Sequence, residues 1–157
     1  MNALYGTLYI TDCTFDEVVS EGLLIDAPDS KILKEFVENK KIIVTELHER
    51  HIALAKHLRE VYHLSIGESE SLSLSLQKGE RTVLLDELKA RKISRLYGLK
   101  AIGSLRVLIE DYNKDLVKEN ELKSIVDQMV KHGFRIGSDV FSEFWTIFDK
   151  LKKKKPS

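Results

Sequence analysis

Residues 69–86 read SESLSLSLQKGERTVLLD, and how this stretch folds decides what surrounds it. Serine alternates with leucine up to Leu76, a lysine-glycine pair follows, and Thr82-Val83-Leu84-Leu85 then runs into Asp86. Period-two alternation about a Gln77-Lys78-Gly79-Glu80 turn is hairpin spacing. The same residues also satisfy a helix. Leu72 and Leu76 are four apart, and Gly67 followed by Glu68 and Glu70 puts negative charge where a helix N-terminus favours it. Serine is small enough to let such a helix pack closely on a sheet. Periodicity alone leaves both readings open.

Outward from this stretch, the 157 residues have the size of one domain, with 43% hydrophobic and 32% charged residues, the balance of a globular chain. The expected division is a single domain over residues 1–151 and a basic tail over 152–157. Lysine plus arginine equal aspartate plus glutamate at 25 each, so any polyanion must be met by a local cluster of charge. Cys13 is the only cysteine, which excludes an internal disulfide and a cysteine-rich zinc site and fits a reducing compartment. No apolar run approaches the roughly 20 residues that span a bilayer, and the expected location is the cytoplasm without a membrane partner.

Along the chain, Thr7-Leu8-Tyr9-Ile10 reads as a strand that stops at Thr11-Asp12, followed by a helix carrying Phe15, Val18 and Val19 inward and ending at Gly22. Asp29 or Ser30 caps a second helix with Ile32, Leu33, Phe36 and Val37 at helical spacing, ended by Lys40-Lys41. Ile42-Ile43-Val44 is a short buried strand, and Leu47, Ile52, Leu54, Leu58 and Val61 give an amphipathic helix to about His63. The runs Thr82–Leu85 and Leu99–Ile102 are one helix apart, the spacing of a parallel strand-helix-strand unit. Beyond Gly103 three helical segments follow: Leu105 to Ile109, Leu122 to Val130 with a stop at His132-Gly133, and a last one from Ser138. In that last segment Phe141, Phe144 and Trp145 read as core, and Lys152–Lys155 as a frayed, solvated end.

The stretch Ile66-Gly67-Glu68-Ser69-Glu70-Ser71-Leu72 resembles the glycine-glutamate-small-glutamate-alanine helix start of PIN-domain proteins, with serines in place of alanines. Thr82-Val83-Leu84-Leu85-Asp86-Glu87, Ala90-Arg91, Gly98-Leu99 and Ile102-Gly103-Ser104-Leu105-Arg106 resemble the rest of that pattern in order and spacing. Leu122 to Asp127, His132 to Ile136 and Phe141 resemble the tail of a PIN subfamily of predicted nucleic-acid-binding proteins. The resemblance covers Leu8 to about Leu23 and Ser65 to about Leu151, with Pro28 to His63 matching loosely.

What the resemblance implies is an α/β fold, a three-layer, doubly wound parallel sheet with C-terminal helices. It also implies hydrolysis of RNA phosphodiester bonds with Mg²⁺ or Mn²⁺. Hard divalent cations want oxygen ligands, and an open parallel sheet places such sites at the carboxyl ends of its strands. By the same resemblance Asp86, Glu68 and Glu17 are the candidate catalytic residues, and Asp86, Glu17, Glu68 and Glu70 the candidate metal ligands. Glu68 and Glu70 point about 200° apart on a helix, so which one faces the metal stays open. Arg91, Arg106 and Ser104, with Lys92 and Arg95, are the candidate nucleic-acid contacts. The four acids are expected to converge on one cleft.

Read without the resemblance, Glu17 is a solvated helix carboxylate, Glu68 and Glu70 are first-turn acids, and Asp86 is a helix N-cap. His48-Glu49-Arg50-His51 lacks the zinc-protease spacing. The family's first strand, ending in an aspartate ligand, is expected to lack a counterpart in residues 1–157, since Leu8 resembles the family's following strand and only a few residues precede it. That strand is central in the family's sheet, so the strands at Leu8 and Thr82 are expected to lack the neighbour between them. Two functions compete on this reading. One is a metal-dependent endoribonuclease, as in the toxin of a toxin-antitoxin pair; the other is a non-catalytic module binding nucleic acid, an antitoxin-like protein, or a second copy of itself.

Overall fold

The computed structural model describes residues 2–21 and 28–155. Contacts divide the chain into an N-terminal unit, Asn2–Ile102, and a C-terminal unit from Gly103. In the first, a one-turn helix α1 (Asn2–Tyr5) precedes β1 (Leu8–Thr11) and α2 (Asp12–Phe15), which widens into a π-helical turn over Asp16–Glu21. Then come α3 (Pro28–Glu38), β2 (Ile42–Thr45), α4 (Glu49–Tyr62), α5 (Ile66–Lys78), β3 (Thr82–Leu84), α6 (Leu88–Leu96) and β4 (Lys100–Ile102).

The serine-leucine alternation lies in helix α5. Ser65 caps it: its hydroxyl accepts from the Glu68 amide at 3.2 Å, and Glu68 Oε2 accepts from the Ser65 amide at 2.8 Å, a reciprocal capping box. Gly79 closes the other end with φ +70°, a conformation that costs an L side chain strain. Leu72, Ser73, Leu74 and Ser75 are buried in succession, so the helix is enclosed nearly all round. It packs against α4, β1, β3, α2 and α6. Ser69 and Ser73 are fully buried beside Leu72, small residues that let neighbouring backbones approach. A helix enclosed in this way has no polar face, and the period of the sequence therefore carries no information about its conformation.

β1 pairs with β2 in parallel, from Leu8 opposite Ile42 to Thr11 opposite Thr45. β3 pairs with β4 in parallel, from Thr82 opposite Lys100 to Leu84 opposite Ile102, and the Leu85 amide extends the ladder to the Ile102 carbonyl. The fold is α/β with parallel strands joined through helices, as expected, and among the described residues the four strands form two sheets of two, with no strand between β1 and β3. β1 and β3 both rest on α5 without pairing to each other. Leu58, Leu64, Leu72, Val83, Leu85, Ala90 and Leu99 make the core of this unit.

Several side chains expected inside face out, for local reasons. The π turn after Phe15 shifts the helical phase, burying Val19 and exposing Val18. On α4 the buried stripe is His51, Ala55 and Leu58, spaced four and three apart, which leaves Ile52 and Val61 outside. Helix α3 exposes Ile32 and begins at Pro28, so Asp29 and Ser30 fall within its first turn; Gly22 lies outside the described residues.

The C-terminal unit is α7 (Ser104–Asn113), α8 (Glu119–Lys131) and α9 (Ser138–Lys154) around Leu105, Ile109, Tyr112, Leu122, Val126, Phe144 and Phe148. Trp145 meets Phe141, Phe144 and Phe148 edge-to-face at 4.9–5.9 Å between centroids, a core role as read. Gly133, φ +86°, ends α8 after His132. The lysines expected to fray are instead held. Lys152–Lys154 form the last turn of α9, Lys152 Nζ donates to Glu119 Oε1 at 2.9 Å, and Lys155 Nζ donates to Asp115 Oδ1 at 2.6 Å and to the Tyr112 carbonyl. Hydrogen bonds from Lys123 and Lys152 hold the Glu119 carboxyl below its usual range.

Candidate active site

α5 fixes the frame of the site. Lys78 near its C-terminus lies over the Tyr9 ring of β1 at 4.6 Å, while Cys13, just past the end of β1, meets Glu70 in the N-terminal half of the helix. β1 therefore runs antiparallel to α5. β3 follows α5 through the tight turn at Gly79 and packs back along it, so it too runs toward the N-terminal half. The carboxyl ends of both strands point to the end of α5 that carries Glu70.

Burial, the Glu70 carboxylate to which the thiol donates, and the charges of Asp12 and Glu17 push the Cys13 thiol above its ordinary pKa. Those causes put Asp12, Glu17 and Glu70 each within electrostatic reach of Cys13. Glu70 Oε2 is buried with no hydrogen-bond partner, an arrangement that costs free energy unless something else satisfies it. One residue-turn further along the helix, the Ser73 hydroxyl is also buried and unpartnered.

Glu68 faces elsewhere and spends its carboxylate on the Ser65 amide. Glu17 is exposed on the π-helical turn, a distortion frequent at functional sites. Asp86 is exposed just past β3, and the N-cap of α6 is Glu87, whose side chain accepts from the Lys89 amide. The capping role read for Asp86 thus falls to its neighbour. Arg91 is half-buried on α6; in the C-terminal unit Ser104 is the first residue of α7 after its Gly103 cap, and Arg106 is paired with Glu110 one turn on.

Asp12 and Cys13 were not among the expected site residues. The signal was present, because both lie within two residues of the end of a parallel strand, as Asp86 does.

Among the described residues no three of His, Cys, Asp and Glu stand close enough to hold a metal by themselves. Mg²⁺ asks for less, since one or two carboxylates with waters and substrate phosphate oxygens suffice for it. The oxygen donors Asp12, Glu17 and Glu70, with one Glu70 oxygen unsatisfied, fit that kind of ion; Asp86 stands exposed just past β3. His48 and His51 do not: their rings are 6.1 Å apart and His51 is buried on the inner face of α4.

Compared with known families, the chain matches the family DUF3368, described as a PIN domain, over residues 1–150. No curated protein and no solved structure matches it significantly. Among the described residues no helix is long and apolar enough to cross a membrane.

Proposed function

The chain belongs to the PIN-domain family, a nuclease-like superfamily, and from that premise we propose that it hydrolyses phosphodiester bonds in RNA with Mg²⁺ or Mn²⁺. The observation that carries this is the buried, unpartnered Oε2 of Glu70 at the end of α5 to which the carboxyl ends of β1 and β3 both point. Glu70 would hold the cation together with Asp86 or with Asp12 and Glu17. When bound, the cation supplies an activated water and neutralises charge on the phosphate.

The protein's own part is positional. The Cys13 thiol, held protonated by burial and by Glu70, would help to orient that carboxylate, of which one oxygen is free of protein partners. Asp86, just past the end of β3, would bring a second charge. Glu68 has no catalytic part in this reading. A protein that holds such a nuclease in check, as in a toxin-antitoxin pair, and a cytoplasmic site of action belong to it.

The test is cleavage of single-stranded RNA in Mn²⁺ or Mg²⁺ against a chelator control. Glu70→Gln and Asp86→Asn should each lower the rate by about 100-fold or more, since a metal's charge stabilisation is worth several kcal/mol. Cleavage unchanged in both variants would point to a contaminating nuclease. No cleavage at all would leave the second reading, a non-catalytic module that takes a partner strand, which the separate pairing of β1 and β3 favours.

A further inference from the structure

Helix α6, LKARKISRL, buries Ala90 and Ser94 completely and turns most of the rest outward. Lys89, Arg91, Lys92 and Arg95 spread over an arc of about 160° opposite those two at 100° per residue. None of the four side chains makes an ion pair or hydrogen bond among the described residues, whereas Lys123, Lys152 and Lys155 are all paired. Four unmatched cations on a nine-residue helix form a local positive field in a chain whose net charge is zero. The helix starts two residues after Asp86, so this field begins beside the carboxylate end of the unit.

A positive face of this kind fits a polyanion or an acidic protein. Leu88 and Leu96 are exposed on the same face, at 60% and 70%, but eight residues apart with Lys92 and Arg95 between them. They leave no contiguous apolar centre around which a protein interface would be built. A flexible phosphate backbone needs only the charges.

We propose that the outward face of α6, with Lys89, Arg91, Lys92 and Arg95, is a track for the phosphate backbone of single-stranded RNA leading to Asp86. The choice of RNA as the polyanion rests on the nuclease reading above; the track itself rests on charge and exposure.

The full chain is titrated, in EDTA to suppress cleavage, with a fluorescein-labelled single-stranded RNA of about 15 nucleotides, a length that covers a site for one small domain. Lys92→Glu with Arg95→Glu should weaken binding about 10-fold or more and reduce the slope of log affinity against log salt by about 1.4, two lost phosphate contacts on a single strand. Leu88→Ser with Leu96→Ser should change affinity less than about 3-fold, since apolar contacts are not what the track uses. Circular dichroism confirms that both pairs fold. The proposal is overturned if the wild type does not bind, if charge reversal changes neither affinity nor slope, or if the leucine pair abolishes binding. It is overturned too if a polyglutamate peptide displaces the RNA at equal concentration, which would assign the face to an acidic protein. Metal-dependent cleavage with no dependence on α6 would refute the track and keep the nuclease; α6-dependent binding without cleavage would do the reverse.

Discussion

Glu68 and Glu70 stand two residues apart in one helix and do opposite things. Glu68 closes a capping box, so its contribution is to stability; Glu70 keeps a carboxylate oxygen buried without a partner, the point at which the proposed cation would sit. Glu68→Ala should cost about 0.5–1 kcal/mol of unfolding free energy while leaving RNA cleavage intact. Glu70→Gln should cost less than about 0.5 kcal/mol, or stabilise slightly, because a neutral amide of the same size takes the place of the carboxylate whose buried oxygen has no partner. Urea melts set beside cleavage assays separate the two. A Glu70→Gln protein that melts like wild type and cleaves like wild type would remove Glu70 from the site.

At the scale of the element, α4 shows how a helix face is chosen by its surroundings. Its buried stripe starts with His51, 6% exposed with Nδ1 unpartnered, while the more apolar Ile52 is left outside. Burial, with the charges of Arg50 and His48, holds the His51 pKa below its usual value. The unfolded chain therefore binds a proton more readily than the folded one. Stability from this group is complete above about pH 6.5 and is lost as pH falls below that toward the folded pKa, by up to about 1.4 kcal/mol per pH unit in that window. The melting temperature should fall less between about pH 7.5 and about pH 5.5 in His51→Gln than in wild type, the window in which an ordinary histidine titrates. Parallel profiles would show that His51 does not report burial.

For the whole molecule, two units with separate cores mean that stability is a local quantity. Phe148, 1% exposed, is the largest fully buried side chain among the described residues, and it stands in the C-terminal core against Tyr112 and Trp145. Phe148→Ala should cost about 3–5 kcal/mol, a large share of the total for a chain of this size. Trp145 is the only tryptophan, so its fluorescence follows the C-terminal unit while far-ultraviolet circular dichroism follows the whole chain. The fluorescence midpoint in urea should shift strongly. An unchanged midpoint would mean that Phe148 does not carry that core.

The sequence by itself determined the element order, the parallel strand-helix-strand unit from Thr82 to Ile102, the glycine stop at Gly133, the aromatic core of the last helix, and the acids at strand ends. These are set by local chemistry: turn residues, β-branched runs and helical spacing act within a few residues of one another. The resemblance of Ile66 to Leu76 to a PIN helix start already made this stretch a helix, as found; only the tertiary structure decided that the helix is enclosed, because that follows from neighbours on several sides. The same holds for the partition between Glu68 and Glu70, the arrival of Cys13 beside Glu70, and the anchoring of Lys152 and Lys155. Each of these depends on where a side chain meets a segment distant in sequence, and periodicity along one element cannot supply that.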